Sequence, residues 1–245
     1  MDRMRKSDFF RVCLAVLGVG FAAPALAQDH ADAADTRPIL IELFSSQSCG
    51  ACPTANQILI EMSENPQIFP IVWSVPYWEY MGETEPYAAA NVLERQRDYA
   101  DAFDLRGPYT PQVVVDGCTQ NSGLSRENIE HRIHHVEMET DPGVRIQFTD
   151  GAFSVHTETT VPTSDIWLVN YLPGITVLTP ERGGNAGTDL PHVHLATKLT
   201  HVGTWDGQSD LSMPVDCDGE ACILIVQEVD SFEVLDFGVI PQATS

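Results

Sequence analysis

The first half of the chain alternates short apolar runs with amphipathic stretches, and the second half changes rhythm. Residues 39–44 are apolar except at Glu42, the pattern of a strand buried on both faces. After a loop over 45–50, Ile58, Leu59 and Met62 recur at helical spacing behind Pro53. That predicts a helix starting at Cys52 with proline in its first turn. Residues 67–75 (QIFPIVWSV) read as a second strand, followed by a loop carrying Tyr77, Trp78 and Tyr80. The stretch 86–103 reads as a helix with Tyr87, Val92 or Leu93, Tyr99 and Phe103 toward a core. A Val-rich strand over 110–115 runs into Asp116-Gly117, a hairpin turn signal. A helix over 124–138, with Ser125 as its N-cap, closes this half.

At Asp141-Pro142-Gly143 the helical spacing ends. Strand-like runs at 144–149, 153–157, 166–171, 175–178, 192–202, 221–229 and 234–240 alternate with turn dipeptides such as Asp150-Gly151, Pro173-Gly174 and Asp206-Gly207. This predicts an antiparallel sandwich packed on, or linked to, an α/β domain.

The N-terminal segment belongs to neither. Arg3, Arg5, Lys6 and Arg11 precede an apolar stretch over 12–23, and Ala25-Leu26-Ala27 suits a signal peptidase. Residues 1–27 are therefore expected to be a cleaved leader, and the Asp/Ala-rich stretch 28–38 a flexible linker. Cleavage near Ala27 implies a periplasmic or secreted protein without membrane insertion afterwards. Removing four basic and two acidic residues from 13 and 35 leaves 9 against 33, a formal charge of −24. So acidic a surface repels nucleic acid and anionic membranes.

Export changes the meaning of the five cysteines that remain: Cys49, Cys52, Cys118, Cys217 and Cys222. Cys49-Gly50-Ala51-Cys52 lies between a predicted strand and a predicted helix. A helix N-terminus stabilises thiolate, and a second thiol one turn on can resolve a mixed disulfide. Cys49 is the candidate nucleophile and Cys52 the resolving thiol. Thr110-Pro111 opens the next strand, where a cis Pro111 is expected to shape the groove beside the dithiol. Glu42, a carboxylate in a buried strand, is a candidate proton relay to Cys52; pairing with an arginine such as Arg97 is its alternative. Tyr77, Trp78 and Thr110 are candidate substrate contacts, although the aromatics could equally fill a seam between domains.

The segments 41–53 (IELFSSQSCGACP), 75–82 (VPYWEYMG) and 109–112 (YTPQ) carry a resemblance that continues through Ile166-Trp167-Leu168-Val169, Gly184-Asn185-Ala186-Gly187 and Gly203-Thr204-Trp205-Asp206-Gly207. The chain resembles a secreted thioredoxin-like family known as domain of unknown function 1223. The resemblance implies a thioredoxin-like fold and export, and leaves the substrate open. His192 and His194 depart from the pattern, where residues more like Tyr and Asn are expected.

The remaining motifs are weaker. Cys217 and Cys222 enclose four residues around a glycine and are expected to form a structural disulfide. Cys118 should lie far from Cys49. His192 and His194 at i, i+2 and the helical His131, His134 and His135 tempt a metal reading, but neither set has an evident local Asp, Glu or His to complete three ligands, although His201 could contribute, and no metal is assigned. Thiol exchange needs no cofactor.

The expected architecture is thus an α/β thioredoxin-like domain over 39–140 followed by an all-β, sandwich-like domain over 141–245 packed on it. The expected function is that of an exported thiol–disulfide oxidoreductase acting on protein thiols or disulfides, with a redox partner. A non-catalytic binding module with a permanently closed CxxC, and a copper-handling protein, are the alternatives.

Overall fold

The apolar run at the start of the fold forms β1 (Ile39–Ser45), buried along its whole length. It lies between a parallel neighbour, β2 (Ile68–Ser74), and an antiparallel one, β3 (Gln112–Val115). The computed structural model describes residues 37–138, 141–149, 151–219 and 221–241. The expected leader and all but the last two residues of the expected linker lie outside the described residues. No helix among the described residues is long and apolar enough to cross a membrane.

Three α-helices, α1 (Cys52–Met62), α2 (Ala90–Ala102) and α3 (Arg126–Glu137), and a 3-10 helix at Pro76–Met81 belong to the first half. Ser125 caps α3 by accepting from the Asn128 N–H. Asp116 and Gly117, both at positive φ, make the hairpin turn from β3 into β4 (Thr119–Asn121). The second half contains β5 (Val144–Thr149), β6 (Ala152–Thr157), β7 (Ser164–Leu178), β8 (Leu190–Trp205), β9 (Leu211–Pro214), β10 (Ala221–Glu228) and β11 (Val234–Val239). The runs expected at 166–171 and 175–178 are one strand, β7, whose register shifts absorb the Pro173-Gly174 kink.

The expectation of a thioredoxin-like α/β domain followed by a separate β-sandwich is overturned. The molecule is mostly β, and its main sheet takes strands from both halves in the order β11-β10-β7-β8-β2-β1-β3-β4. The halves meet where Val72 of β2 pairs in parallel with Leu195 of β8. An unpaired β2 edge would expose a row of backbone donors and acceptors, and β8 covers it. Strands β5, β6 and β9 form a second, three-stranded sheet. The described chain from Arg37 onward clusters as one compact unit, so the main sheet runs across the break expected at 140/141.

Three cores follow from this layout. On one face α1 and α3 pack Ala55, Leu59, Ile129 and Ile133 against Ile41, Leu43 and Val113. Further along, the small sheet buries Phe153 and Val155 against Ile166, Leu224 and Val226. On the other face α2 sets Val92 and Tyr99 among Leu40, Phe44, Trp73, Ile223 and Ile225. The sheet curls about this last core until Asp116 O, near one end of the strand order, accepts from Val234 N of β11 at the other, 2.8 Å away. A Cβ on Gly117 would come within 1.8 Å of Phe232 O, so only glycine fits that contact. Arg37 completes the junction by bonding Asp116 and the carbonyl of Val234.

The buried stripe of α2 is Val92, Arg95, Gln96, Tyr99 and Ala100, helical spacing with two polar members. Arg95 donates through Nε and Nη2 to the two oxygens of Glu42, at 2.7 and 2.8 Å, and through Nη1 to Gln227 Oε1 at 2.8 Å. Tyr99 Oη and Trp73 Nε1 also donate to Glu42. Because a buried charge that loses its partner stays desolvated, Arg95→Met should cost about 3–5 kcal/mol in urea unfolding. Adding Glu42→Leu to that variant should recover a large part of the loss.

Asp236 supplies a pH-dependent term. Burial pushes it up to about 6, against the stabilising N–H groups of Ile146 and Phe237. The folded state therefore holds the proton more tightly than the unfolded chain, and ionisation of Asp236 opposes folding. The penalty is absent below the unfolded value near ~4, grows as pH rises to about 6, and then stays constant. Urea titrations at pH 4 and pH 7 should show the wild type losing about 2 kcal/mol relative to Asp236→Asn.

Candidate functional site

β1 ends at Ser45, and the chain needs only the loop 46–51 before α1 begins at Cys52. Two successive turns shape the loop: Cys49 N donates to Ser46 O and Cys52 N donates to Cys49 O, each at 3.2 Å. They bring the Cα atoms of Cys49 and Cys52 to 5.4 Å, and the two sulfurs form a disulfide. Both cysteines are almost completely buried, at 2% and 1% exposure, while Gly50 and Ala51 between them are exposed. No side chain caps α1 and no acidic residue occupies its first turn, so nothing on the helix offsets the field of its N-terminal N–H groups.

The cis Thr110-Pro111 bond lies beside this loop, because Phe44 pairs with Gln112 and Pro111 therefore stands next to the end of β1. Trp78 Nε1 donates to Thr110 Oγ1 at 2.7 Å, joining two of the three expected substrate contacts. Gln96 Nε2 fixes the same turn through Tyr109 O at 2.8 Å and Gln112 Oε1 at 2.9 Å. Trp78 stacks on Tyr80, which is 76% exposed. Tyr77 and Trp78 also pack on the α2-side core, so they fill a seam as well as edging the site. Burial pushes the Tyr77 hydroxyl up to about 12, against the pull of Gln96 and Thr110 beside it.

Glu42, expected as a proton relay to Cys52, directs its carboxylate to the α2 face, where Arg95, Tyr99 and Trp73 occupy it. Its partner is Arg95 rather than Arg97. Cys52 heads α1, which packs on the opposite face through Ile41 and Leu43. Cys217 and Cys222 form the second disulfide, tying the segment before β10 to a fully buried position within it. The Cys118 thiol follows the β3–β4 turn and donates to Asp116 O. His194, at φ 44°, stacks on Phe69 with ring centres 4.7 Å apart and bonds Pro70 O. His192 is buried, and its desolvation lowers its pKa. Among the described residues no cluster of three or more His, Cys, Asp or Glu is placed to hold a metal ion.

Three side chains that the sequence reading passed over organise the dithiol loop and the β7–β8 connection bonded to it. Glu85 is buried, and its carboxylate accepts from Ser46 Oγ, from Gln47 N at 2.6 Å and from Gln47 Nε2 at 3.3 Å. Burial raises its pKa, and the bonds from Ser46 and Gln47 pull the other way. Glu83 accepts the N–H groups of Glu181 and Arg182, each at 3.0 Å. Asn185 Nδ2 reaches across to Gln47 O at 2.8 Å and Cys49 O at 3.0 Å. Glu83 and Glu85 sit in an aperiodic stretch that gave no signal. Asn185 lay within the Gly184-Asn185-Ala186-Gly187 segment that carried part of the resemblance.

A profile for a family described as "Protein of unknown function (DUF1223)" matches residues 40–227. The chain belongs to that family. No curated protein matches it. Among solved structures, a protein from Agrobacterium tumefaciens shares the fold with a TM-score of 0.70 and 21% identity, over 86% of this chain and 98% of that one. HBP35 of Porphyromonas gingivalis superposes with a TM-score of 0.53 and 15% identity, covering 85% of this chain and 78% of its own. At these identities the likeness concerns fold alone. The DUF1223 match spans β1 through most of β10, and so takes in both disulfides and the Glu42–Arg95 pair.

Glu85→Ala removes three acceptor contacts to the dithiol loop of this DUF1223 member. It should cost about 2–3 kcal/mol in denaturant unfolding. Hydrogen exchange at the Gln47 amide should quicken more than exchange in β1.

Proposed function

We propose that this DUF1223 member is an exported thiol–disulfide oxidoreductase that acts on protein substrates through Cys49 and Cys52. The observation that carries the reading is the Cys49–Cys52 disulfide at the head of α1. Closing and opening such a pair is a two-electron couple, and the uncapped helix terminus favours thiolate at the sulfur facing it. The leader-like segment 1–27 supports export.

In the reducing direction the Cys49 thiolate attacks a substrate disulfide. A mixed disulfide forms and one substrate thiolate leaves. The Cys52 thiolate then attacks Cys49 Sγ, restoring the internal disulfide and releasing the second substrate thiolate. Two electrons pass to the substrate, and a partner dithiol must return them. The oxidising direction reverses each step, and the reduction potential decides which one runs. In this reading Thr110-Pro111 and Trp78 are the substrate contacts, at the start of β3 beside the end of β1. Glu42 anchors the fold beneath the site, with both oxygens committed to Arg95, Tyr99 and Trp73.

The burial of both cysteines favours a second reading, in which the disulfide stays closed and the chain serves as a binding module. A redox titration separates the two. The oxidoreductase reading expects Cys49–Cys52 to open between about −120 and −270 mV, where dithiol exchangers work. It also expects Cys52→Ser to accumulate mixed disulfides with exported proteins, and Cys49→Ser to abolish them. A pair that stays closed well below that range, with no trapped species, would leave the binding module standing.

A further inference from the structure

The Gly184-Asn185-Ala186-Gly187 segment has no part in the exchange chemistry, yet it lies directly on the dithiol loop. It belongs to the connection between β7 and β8, whose outer surface is exposed at Glu181, Arg182 and Gly184. Its inner side fits closely over Ser48. A Cβ on Gly183 would meet Ser48 Oγ at 2.6 Å, and one on Gly184 would meet Ser48 O at 3.2 Å. Asn185 then bridges the backbone carbonyls on either side of Ser48, those of Gln47 and Cys49. Glu83 holds the start of the connection through the Glu181 and Arg182 amides. The stretch 83–85 thus grips both segments, since Glu85 binds the dithiol loop at Ser46 and Gln47.

This arrangement matters because thiol–disulfide exchange is an in-line displacement. The attacking sulfur must approach Cys49 Sγ along the axis of the S–S bond, from the side away from Cys52. Cys49 is 2% exposed. A slender thiol needs a small local movement to reach it, whereas a protein thiol brings a surface with it.

We infer that the β7–β8 connection is a cover over the dithiol, that Asn185 is the positioning residue holding it shut, and that displacing it selects which thiol partners reach Cys49. The inference rests on the dithiol reading above and concerns access to the site rather than its chemistry. Among the described residues, the hydrogen bonds that tie the cover to the dithiol loop and to Glu83 are few: two from Asn185 and two backbone amides. A cover held so lightly opens without global unfolding.

The test reduces the oxidised protein with two probes, 2-mercaptoethanol and a reduced thioredoxin as protein dithiol. Opening of Cys49–Cys52 is followed by alkylation and peptide mass spectrometry. With 2-mercaptoethanol, two thiols become one disulfide as the pair gains two electrons and two protons. Thioredoxin closes its own dithiol in the same exchange. Asn185→Ala should accelerate reduction by thioredoxin about tenfold and reduction by 2-mercaptoethanol by no more than about twofold. Glu83→Ala, which frees the other end of the cover, should change the ratio in the same direction and serves if the first variant folds poorly. Equal acceleration of both probes, or none, would overturn the cover while leaving the exchange chemistry intact. A pair that opens in the variants but never in the wild type would support the cover and remove the oxidoreductase reading. A pair closed to both probes in every protein would remove both.

Discussion

A single ion pair sets the terms for the rest of the molecule. Glu42 sits in the middle of a strand buried on both faces, and an ionised carboxylate there is tolerated only with a cation and further donors beside it. Arg95 supplies the cation from α2, Trp73 and Tyr99 supply indole and hydroxyl donors respectively, and Gln227 of β10 completes the guanidinium's partners. Elements β1, β2, α2 and β10, drawn from both halves, thereby meet in one hydrogen-bonded network. The side chain that looked like a proton carrier near the cysteines binds the two ends of the sheet together instead.

The site is built on the rim of that rigid centre. β1 delivers the dithiol loop, β3 delivers the proline turn, and the 3-10 helix delivers Trp78, all from positions next to one another in the sheet or directly above it. What sets the dithiol apart from the second disulfide is its surroundings. Cys49 and Cys52 lie at a strand-to-helix junction with glycine and alanine exposed between them, whereas Cys222 is sealed inside β10. Burial alone does not separate the two pairs, since Cys49 and Cys52 are 2% and 1% exposed.

Much of this was legible in the sequence, residue by residue. Helical spacing placed Leu59 and Met62 inside, the Asp116-Gly117 pair marked its hairpin, Ser125 capped its helix, and the spacing of the cysteines anticipated both disulfides. The break into two domains was misread because hydrophobic alternation reports which face a strand buries and says nothing about which strand it joins. One signal was available. The run over 221–226 (ACILIV) is apolar at every position, and β10 is covered on both sides, by α2's core and by the small sheet. Such a strand suits the interior of a large layered sheet better than a two-layer sandwich with a wet outer face. The roles of Glu85, Glu83 and Asn185 were not legible for another reason. Each acts through one or two hydrogen bonds between loops distant in sequence, and no local pattern encodes such a pairing.

The joint between Val72 and Leu195 has a consequence for how the molecule comes into being. The middle of the sheet is assembled from strands more than a hundred residues apart, and its parallel register rests on that one pairing. During synthesis β2 must wait with its edge unsatisfied until Leu195 of β8 has emerged. Contacts of such high sequence separation make folding slow and late. The first half therefore stays unfinished for as long as the second is absent.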